Sequence, residues 1–187
     1  MKQIAKKEQT ESKSKYNVKK EICGWIRSLS IAVLITVIIN NCVVFGGYVP
    51  TPSMENTIEV KNRIFISRLS YLFDEPQRGD VVTFRFPDDE SKRFVKRIIG
   101  MPNETIQGIN GRIYINNSEI PLDEDYIRES MFSDFGPYTI PSDCYFMMGD
   151  NRNNSLDSRF WVHKFVERNK IEGKVIMTYF PKFKIIK

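Results

Sequence analysis

Residues 81–99 read VVTFRFPDDESKRFVKRII and contain the clearest strand pattern in the chain. The first six alternate between apolar and other side chains, a polar connector with a proline follows, and an apolar run returns from residue 93. Alternation with a period of two is typical of a β-strand, and two such runs around a short connector predict a hairpin. On the second strand Lys96 shares a face with Phe94 and Ile98, so its ammonium group points toward an apolar surface.

Strand patterns continue on both sides of this hairpin. Short β-rich runs occupy residues 63–68, 112–115, 145–148 and 175–180, and residues 162–170 are typical of a short turn or helix. Asn110 and Gly111 are a strong signal for a tight hairpin turn inside residues 101–145, which we interpret as a separate β-rich lobe. The fold class predicted from these patterns is mainly β, a sheet or barrel core with this small inserted lobe, plus one N-terminal transmembrane helix.

The transmembrane prediction concerns residues 28–48, which carry no charged side chain. About 20 apolar residues are needed to cross a bilayer, whereas a cleavable signal has a shorter apolar region, so we interpret this run as an uncleaved anchor. Residues 1–27 hold eight Lys or Arg against three Asp or Glu, which accounts for the net charge of +5. The positive-inside rule then predicts a cytoplasmic tail at 1–27 and an extracytoplasmic domain at 49–187.

Charge and cysteine content narrow the chemistry of that domain. Its positive and negative side chains balance, so a basic surface for nucleic acid is not predicted. Cys144 is its one thiol and His163 is the chain's one histidine. Without a second thiol or a Cys-x-x-Cys pair, neither an internal disulfide nor a zinc site of ordinary spacing can form, and we predict no metal and no cofactor.

A serine follows the uncharged run, in residues 49–54, VPTPSM. A serine hydroxyl attacks a carbonyl group only when a base removes its proton, and a neutral lysine amine can replace the usual histidine. Burial beside apolar side chains and nearby cations both lower the pKa of a lysine, so we expect Lys96 to serve Ser53. Taken alone, each residue has an ordinary alternative: Ser53 is a loop serine after proline, and Lys96 a strand lysine with a solvated ammonium group.

A third segment, residues 149–161, reads GDNRNNSLDSRFW and is too dense in polar side chains for a simple linker. Together with residues 50–54, 78–82 and 94–102, it resembles bacterial type I signal peptidases, and the resemblance covers residues 28–181. This resemblance implies a signal-peptidase-like β core and a Ser/Lys dyad protease. Such an enzyme removes signal peptides from exported preproteins at the outer face of the cytoplasmic membrane.

The resemblance also implies a role for individual residues. Ser53 matches the nucleophile and Lys96 the general base, while Thr51 matches the hydroxyl that joins the Ser53 amide in the oxyanion hole. Ser155 matches the hydroxyl that orients the lysine amine. The ionic scaffold beneath the site is matched by three residues: Asp157, Arg159 and Asp150.

This chain departs from the usual family sequence at three places. Thr51 and Pro52 replace the commoner Ser-Gly, Asn153 stands where Asp is frequent, and Val162 where Gly is usual. Threonine keeps the hydroxyl, whereas proline stiffens the segment and removes an amide. The single anchor and short lobe are more similar to the Gram-positive branch, and Lys96 argues against the endoplasmic-reticulum branch, which carries histidine.

For the substrate we expect an extended peptide that adds beside a sheet edge. Four of the predicted substrate-binding residues would form shallow pockets for small side chains, consistent with the family's Ala-x-Ala preference: Val49, Met54, Ile58 and Val95. The other two, Pro50 and Phe94, would flank the peptide. Residues 71–73, Tyr-Leu-Phe, are apolar enough to enter the membrane interface, and core packing explains them equally well. The expected partners are secretory preproteins and the phospholipid membrane.

Two other functions fit parts of the sequence. One is a membrane-tethered Ser/Lys protease dedicated to a single precursor, which would use the same dyad. The other is a noncatalytic anchored β-domain, which leaves the dense polar segment 149–161 unexplained. The sequence leaves open the preferred preproteins and the oligomeric state.

Overall fold

The computed structural model describes residues 2–38 and 43–186 and divides the chain into two compact units, residues 1–42 and 43–187. In the first unit, helix α1 spans Lys2–Ile38. Apolar side chains along its second half are exposed, with Leu29 and Leu34 each more than half accessible. Across the described residues, none of the helices combines the length and the apolar character that a bilayer crossing requires.

The predicted anchor at 28–48 therefore corresponds to one helix only in part. Its residues 28–38 belong to α1, and residues 39–42 lie outside the described residues. Its last five residues form strand β1, Val44–Tyr48, which pairs with the next strand of the sheet. The C-terminal boundary predicted at residue 48 is corrected, because the backbone groups of 44–48 are satisfied by strand pairing rather than by helical hydrogen bonds.

The second unit is built on two antiparallel sheets. After β1, its strands are β2 Arg63–Ser67, β3 Val81–Phe86, β4 Asp89–Gly100, β5 Thr105–Ile109, β6 Arg112–Ile115, β7 Phe135–Thr139, β8 Cys144–Met148, β9 Phe165–Glu167, β10 Ile171–Phe180 and β11 Lys184–Ile185. The larger sheet has eight strands within the described residues: seven follow the order β1-β2-β10-β3-β4-β8-β9, and β11 pairs with β10 off this path. The smaller sheet has the order β6-β5-β7.

The mainly β prediction is thus confirmed, and the hairpin forms as expected. Strands β3 and β4 are antiparallel, with Val82 opposite Lys96. Asn110 and Gly111 both have positive φ, the backbone that a tight two-residue hairpin turn requires. The predicted turn or helix at 162–170 is only partly right, because Phe165–Glu167 pairs with β8 as a strand before a 3₁₀ turn at Arg168–Lys170.

Strand β4 is central to the arrangement because it divides the core. Val95 packs with the cluster that contains Val49 and Met54, whereas Phe94 packs with the cluster around Trp161. A third cluster joins the end of β4 to the smaller sheet through Ile99. The strand also has an open stretch, since β8 pairs with β4 only from Arg97 onward. Among the described residues no strand covers the outer edge of β4 at residues 93–96.

Candidate active site

Ser53 and Lys96 line the same cavity, which has a volume of about 390 Å³. Its two long walls are residues 48–54 and residues 93–96, the open stretch of β4. Asn154 and Leu156 complete it. The polar segment 149–161, called the site loop below, therefore reaches the same cavity as the serine and the lysine.

The segment that carries Ser53 is fixed by its own backbone and by the site loop. Pro52–Met54 forms a single 3₁₀ turn, preceded by Thr51 in an extended conformation. A proline at the first position of such a turn sacrifices no internal hydrogen bond, so the missing amide of Pro52 is tolerated. The backbone N–H of Asn151 donates to the Ser53 carbonyl oxygen at 3.1 Å. The Thr51 and Ser53 hydroxyl oxygens lie 3.4 Å apart, so the two side chains face the same space.

Lys96 is buried without a charged partner. Its side chain is 4% exposed, and among the described residues its amine makes neither a hydrogen bond nor an ion pair. The nitrogen lies 5.8 Å from the centre of the Phe94 ring. Burial lowers the pKa of Lys96 to about 8, with Asp157 and Asp150 opposing the shift and Arg159 adding to it. A substantial fraction of this amine is therefore neutral near pH 8 and able to accept a proton.

Gly149 is the point at which the site loop meets the serine segment. A side chain at this position would collide with the Ser155 hydroxyl oxygen and with the Ser53 carbonyl oxygen. Only glycine lets the loop come this close. The Ser155 hydroxyl is buried and, within the part of the chain that the structure describes, has no hydrogen-bond partner. It remains available to an amine or a bound substrate.

Two buried arginine–carboxylate pairs support the loop. Arg159 donates to both oxygens of Asp157, at 2.7 and 2.8 Å, and the same carboxylate accepts the Gly149 amide at 3.0 Å. Arg97 donates to both oxygens of Asp150, at 2.9 and 2.7 Å. Such bidentate pairs fix orientation as well as charge. Asp157 and Arg159 thus pair with each other, whereas Asp150 pairs with Arg97.

Most of the predicted substrate-binding residues line the cavity: Val49, Pro50, Met54, Phe94 and Val95. Ile58 does not, and its assignment to a pocket is corrected. It is completely buried in the cluster that contains Val49 and Met54, so it supports the cavity wall from behind. Of residues 71–73, Tyr71 turns inward and donates to Asp80, while Leu72 and Phe73 are exposed.

A metal centre is not formed by the described residues, among which no three His, Cys, Asp or Glu side chains are grouped as ligands. The cavity is lined by a serine with its hydroxyl and by a buried lysine with its amine. In proteins this combination activates a serine for attack on a carbonyl carbon.

Comparison with known proteins agrees with this chemistry. Residues 22–180 match the family model described as "Signal peptidase, peptidase S26". The chain belongs to this family. It is therefore a serine peptidase, similar to signal peptidase I of Leptolyngbya laminosa, with 37% identity over 83% of this chain and 78% of that protein. Signal peptidase I of Bacillus amyloliquefaciens is 34% identical over 90% of this chain and 94% of its own length.

A crystal structure of a signal peptidase I from Enterococcus faecalis V583 is also similar. It is 34% identical, and the match covers 54% of this chain and 97% of that one with a TM-score of 0.47.

Sequence reasoning missed several residues of this serine peptidase's cavity and scaffold. Leu156 lines the cavity although its neighbours in sequence are polar, and an apolar residue between polar neighbours was the available signal. The partner of Asp150, Arg97, lies beside Lys96 in an apolar strand, where a second buried cation implies a carboxylate nearby. The pair between Arg152 and Glu124 joins residues 28 positions apart, and no local pattern indicates it.

Proposed function

We propose that this serine peptidase is an endopeptidase that removes N-terminal signal peptides from exported preproteins, with Ser53 as nucleophile and Lys96 as general base. The observation that carries the proposal is the placement of both residues on one cavity, with the lysine buried and without a hydrogen bond or ion pair to any described residue. A lysine with a lowered pKa can take a proton from a hydroxyl at a pH at which an exposed lysine stays charged.

The reaction would proceed in two halves. The neutral Lys96 amine accepts the Ser53 hydroxyl proton while the serine oxygen attacks the scissile carbonyl carbon, and the resulting ammonium gives that proton to the leaving amine. An acyl-enzyme remains on Ser53. Water then attacks the ester carbonyl with Lys96 again as base, which releases the acyl product and restores the serine hydroxyl.

Charge on the tetrahedral intermediate needs hydrogen-bond donors. We assign this role to the Ser53 amide and the Thr51 hydroxyl. The distance of 3.4 Å between the Thr51 and Ser53 hydroxyl oxygens supports this, because it keeps the threonine within reach of an oxyanion formed beside the serine. Ser155 would orient the amine, since its buried hydroxyl lacks a partner among the described residues.

The substrate would bind as an added strand along the open edge of β4. On the edge of β4 that faces away from β3, residues 93–96 offer backbone groups with which no described strand pairs. The wall opposite is residues 48–54, so an extended peptide would lie between the two. Pockets shaped by Val49, Met54 and Val95 would accept small side chains at alternate positions, as in Ala-x-Ala.

We also propose that the chain is attached to the cytoplasmic membrane through the uncharged run that begins at residue 28. Exposed apolar side chains on α1 support this, because such a surface needs an apolar environment. In the second unit, the outer sheet face exposes Tyr48, Phe65 and Phe180. Aromatic side chains of this kind are enriched at membrane interfaces. The basic tail would remain in the cytoplasm and the catalytic domain outside, which protease accessibility in spheroplasts would test.

The deciding experiment is cleavage of a purified preprotein in detergent or liposomes, with the new N-terminus of the product sequenced. Ser53→Ala and Lys96→Ala should be inactive yet folded. Ser118→Ala and Lys92→Ala, changes at exposed residues that do not line the cavity, should cleave like the wild type. Cleavage by Lys96→Ala would show that the base is another residue. A wild type that cuts only one dedicated precursor would keep the dyad and overturn the general role.

A further inference from the structure

The site loop is held from outside by the connector between β6 and β7, residues 116–134. This connector has no assigned chemistry in the function proposed above. Two consecutive residues of the site loop bind it, Arg152 and Asn153. Their contacts place part of the smaller-sheet region directly against the segment that carries Ser155 and Asp157.

Arg152 forms a buried pair with Glu124. Its terminal nitrogens donate to the two carboxylate oxygens at 2.5 and 3.1 Å, and the two side chains are only 1% and 9% exposed. The third guanidinium donor, Nε, reaches the Gly149 carbonyl at 3.1 Å. Glu124 thus fixes an arginine that in turn holds the glycine packed against Ser53 and Ser155.

The same short segment contacts the second arginine of the scaffold. The Tyr126 ring lies 4.0 Å from the guanidinium carbon of Arg97, and the Tyr126 hydroxyl donates to Glu124 at 2.7 Å. Burial, reinforced by the charge of Glu124, raises the pKa of Tyr126, so this hydroxyl stays a donor at any working pH. Glu124 and Tyr126 therefore brace both Arg152 and Arg97.

Asn153 adds a second attachment. Its amide nitrogen donates to the Ser130 carbonyl at 3.1 Å, and its amide oxygen accepts the Phe132 amide at 3.0 Å. Both halves of the side chain are used. An aspartate could accept from Phe132 but would present a second acceptor to the Ser130 carbonyl.

We infer that Glu124 is a positioning residue of the peptidase site, acting through Arg152 on the backbone of Gly149. The inference rests on the proposed function of Ser53 and Lys96. Glu124 lines no wall of the substrate cavity, and it reaches the site through its buried ion pair with Arg152 and the hydrogen bond from Arg152 to Gly149. Displacement of the loop would move Ser155, Asp157 and Arg159 relative to the Lys96 amine. Small misplacements of catalytic groups cost on the order of a hundredfold in rate.

The test compares Glu124→Gln with Glu119→Gln, which alters an exposed glutamate of the same connector without a hydrogen bond among the described residues. Preprotein cleavage is measured as a function of pH, below the unfolding temperature of each variant. Glu124→Gln should lower kcat/KM by roughly ten- to a hundredfold. It should also shift the pH at which cleavage falls off on the acid side of the pH profile. Glu119→Gln should match the wild type in both. A Glu124→Gln variant with a wild-type rate and profile would overturn the inference.

A double variant separates positioning from stability. Glu124→Gln with Arg152→Met removes both buried charges, so stability lost in the single variant should return. Cleavage should stay low, because Arg152→Met removes the donor to the Gly149 carbonyl. Recovery of cleavage together with stability would mean that Glu124 only compensates a buried charge. The double variant decides the matter alone if the single one fails to fold.

The Asn153 attachment gives a smaller, independent effect. Asn153→Asp should reduce kcat/KM several-fold, through the lost donor to Ser130. Ser53→Ala and wild type are run in the same assay. If the wild type fails to cleave, the proposed function is wrong. If Ser53→Ala fails to cleave while Glu124→Gln and Asn153→Asp cleave normally, the proposed function stands and the positioning role is wrong.

Discussion

Lys96 and Arg97 are neighbours on β4, both cationic and both almost completely buried, at 4% and 3% exposure, yet their surroundings are opposite. Successive strand residues point to opposite faces of the sheet. On one face Arg97 meets the Asp150 carboxylate in a bidentate pair, and on the other Lys96 meets the Phe94 ring and the cavity that contains Ser53.

The difference shows how one strand serves two purposes. A paired arginine stays charged and fixes the geometry of the scaffold, because its carboxylate offsets the cost of burial. Lys96, at similar burial and without an ion-pair partner among the described residues, is destabilised as an ammonium, which suits it to the base role that we propose. The charge of Arg97 is balanced by a carboxylate, and this residue supports the structure. The charge of Lys96 has no such partner among the described residues, and this is the residue to which we assign chemistry.

The largest expected effect is on catalysis. Lys96→Met should lower kcat/KM by roughly 10²- to 10⁴-fold, the contribution of a general base. Cleavage of a preprotein or a fluorogenic peptide measures it. Lys92→Met is the matched control, since Lys92 is an exposed lysine of the same strand, and it should cleave normally. Equal activity in the two variants would remove the distinction between these lysines.

The next effect concerns Arg97. Arg97→Met leaves Asp150 as a buried carboxylate without its bidentate partner, which should reduce the free energy of unfolding by about 3–5 kcal/mol. Urea denaturation compares this variant with Arg112→Met, at an exposed arginine of β6. Arg112→Met should unfold close to the wild type. A stable Arg97→Met would mean that the Arg97 pair contributes nothing to the scaffold.

The smallest effect has the opposite sign. Burial lowers the pKa of Lys96 to about 8, whereas the unfolded chain titrates near 10.4. At neutral pH the folded protein holds a disfavoured ammonium, so Lys96→Met should raise the free energy of unfolding by about 3 kcal/mol. The gain should shrink as the pH rises from about 8 and should vanish above about 10.5, where the amine becomes neutral in both states. Loss of stability at neutral pH in Lys96→Met would show that the amine is favourably solvated.

The sequence predicted the strands of the hairpin because local patterns carry that information, whereas the meeting of Ser53 and Lys96 with the loop at 149–161 was expected from the family resemblance. Alternation fixes which face Lys96 occupies, and the polar density of residues 149–161 marks the loop that reaches it. The end of the helix was predicted too late, since residues 44–48 are as uncharged as those before them and only pairing with β2 makes them a strand. Ile58 was misassigned because an apolar residue near a serine can line a pocket or support it from behind.

The scaffold beyond the site loop was less accessible to sequence reasoning. Arg97 was visible as a cation in an apolar strand, but its partner lies 53 positions away. Glu124 sits in a connector without periodicity, and only the folded chain brings it to Arg152. Long-range pairs of this kind depend on topology, which no local pattern specifies.

The most direct test of a buried lysine base is the pH dependence of kcat/KM for the wild type and for His163→Gln. His163 is the only histidine of the chain and is exposed, so its removal should not matter. We predict that cleavage rises with pH along an acid limb near pH 8 in both proteins, as Lys96 loses its proton. A profile that stays flat down to about pH 5, or a limb near 6.5 that vanishes in His163→Gln, would contradict a lysine base.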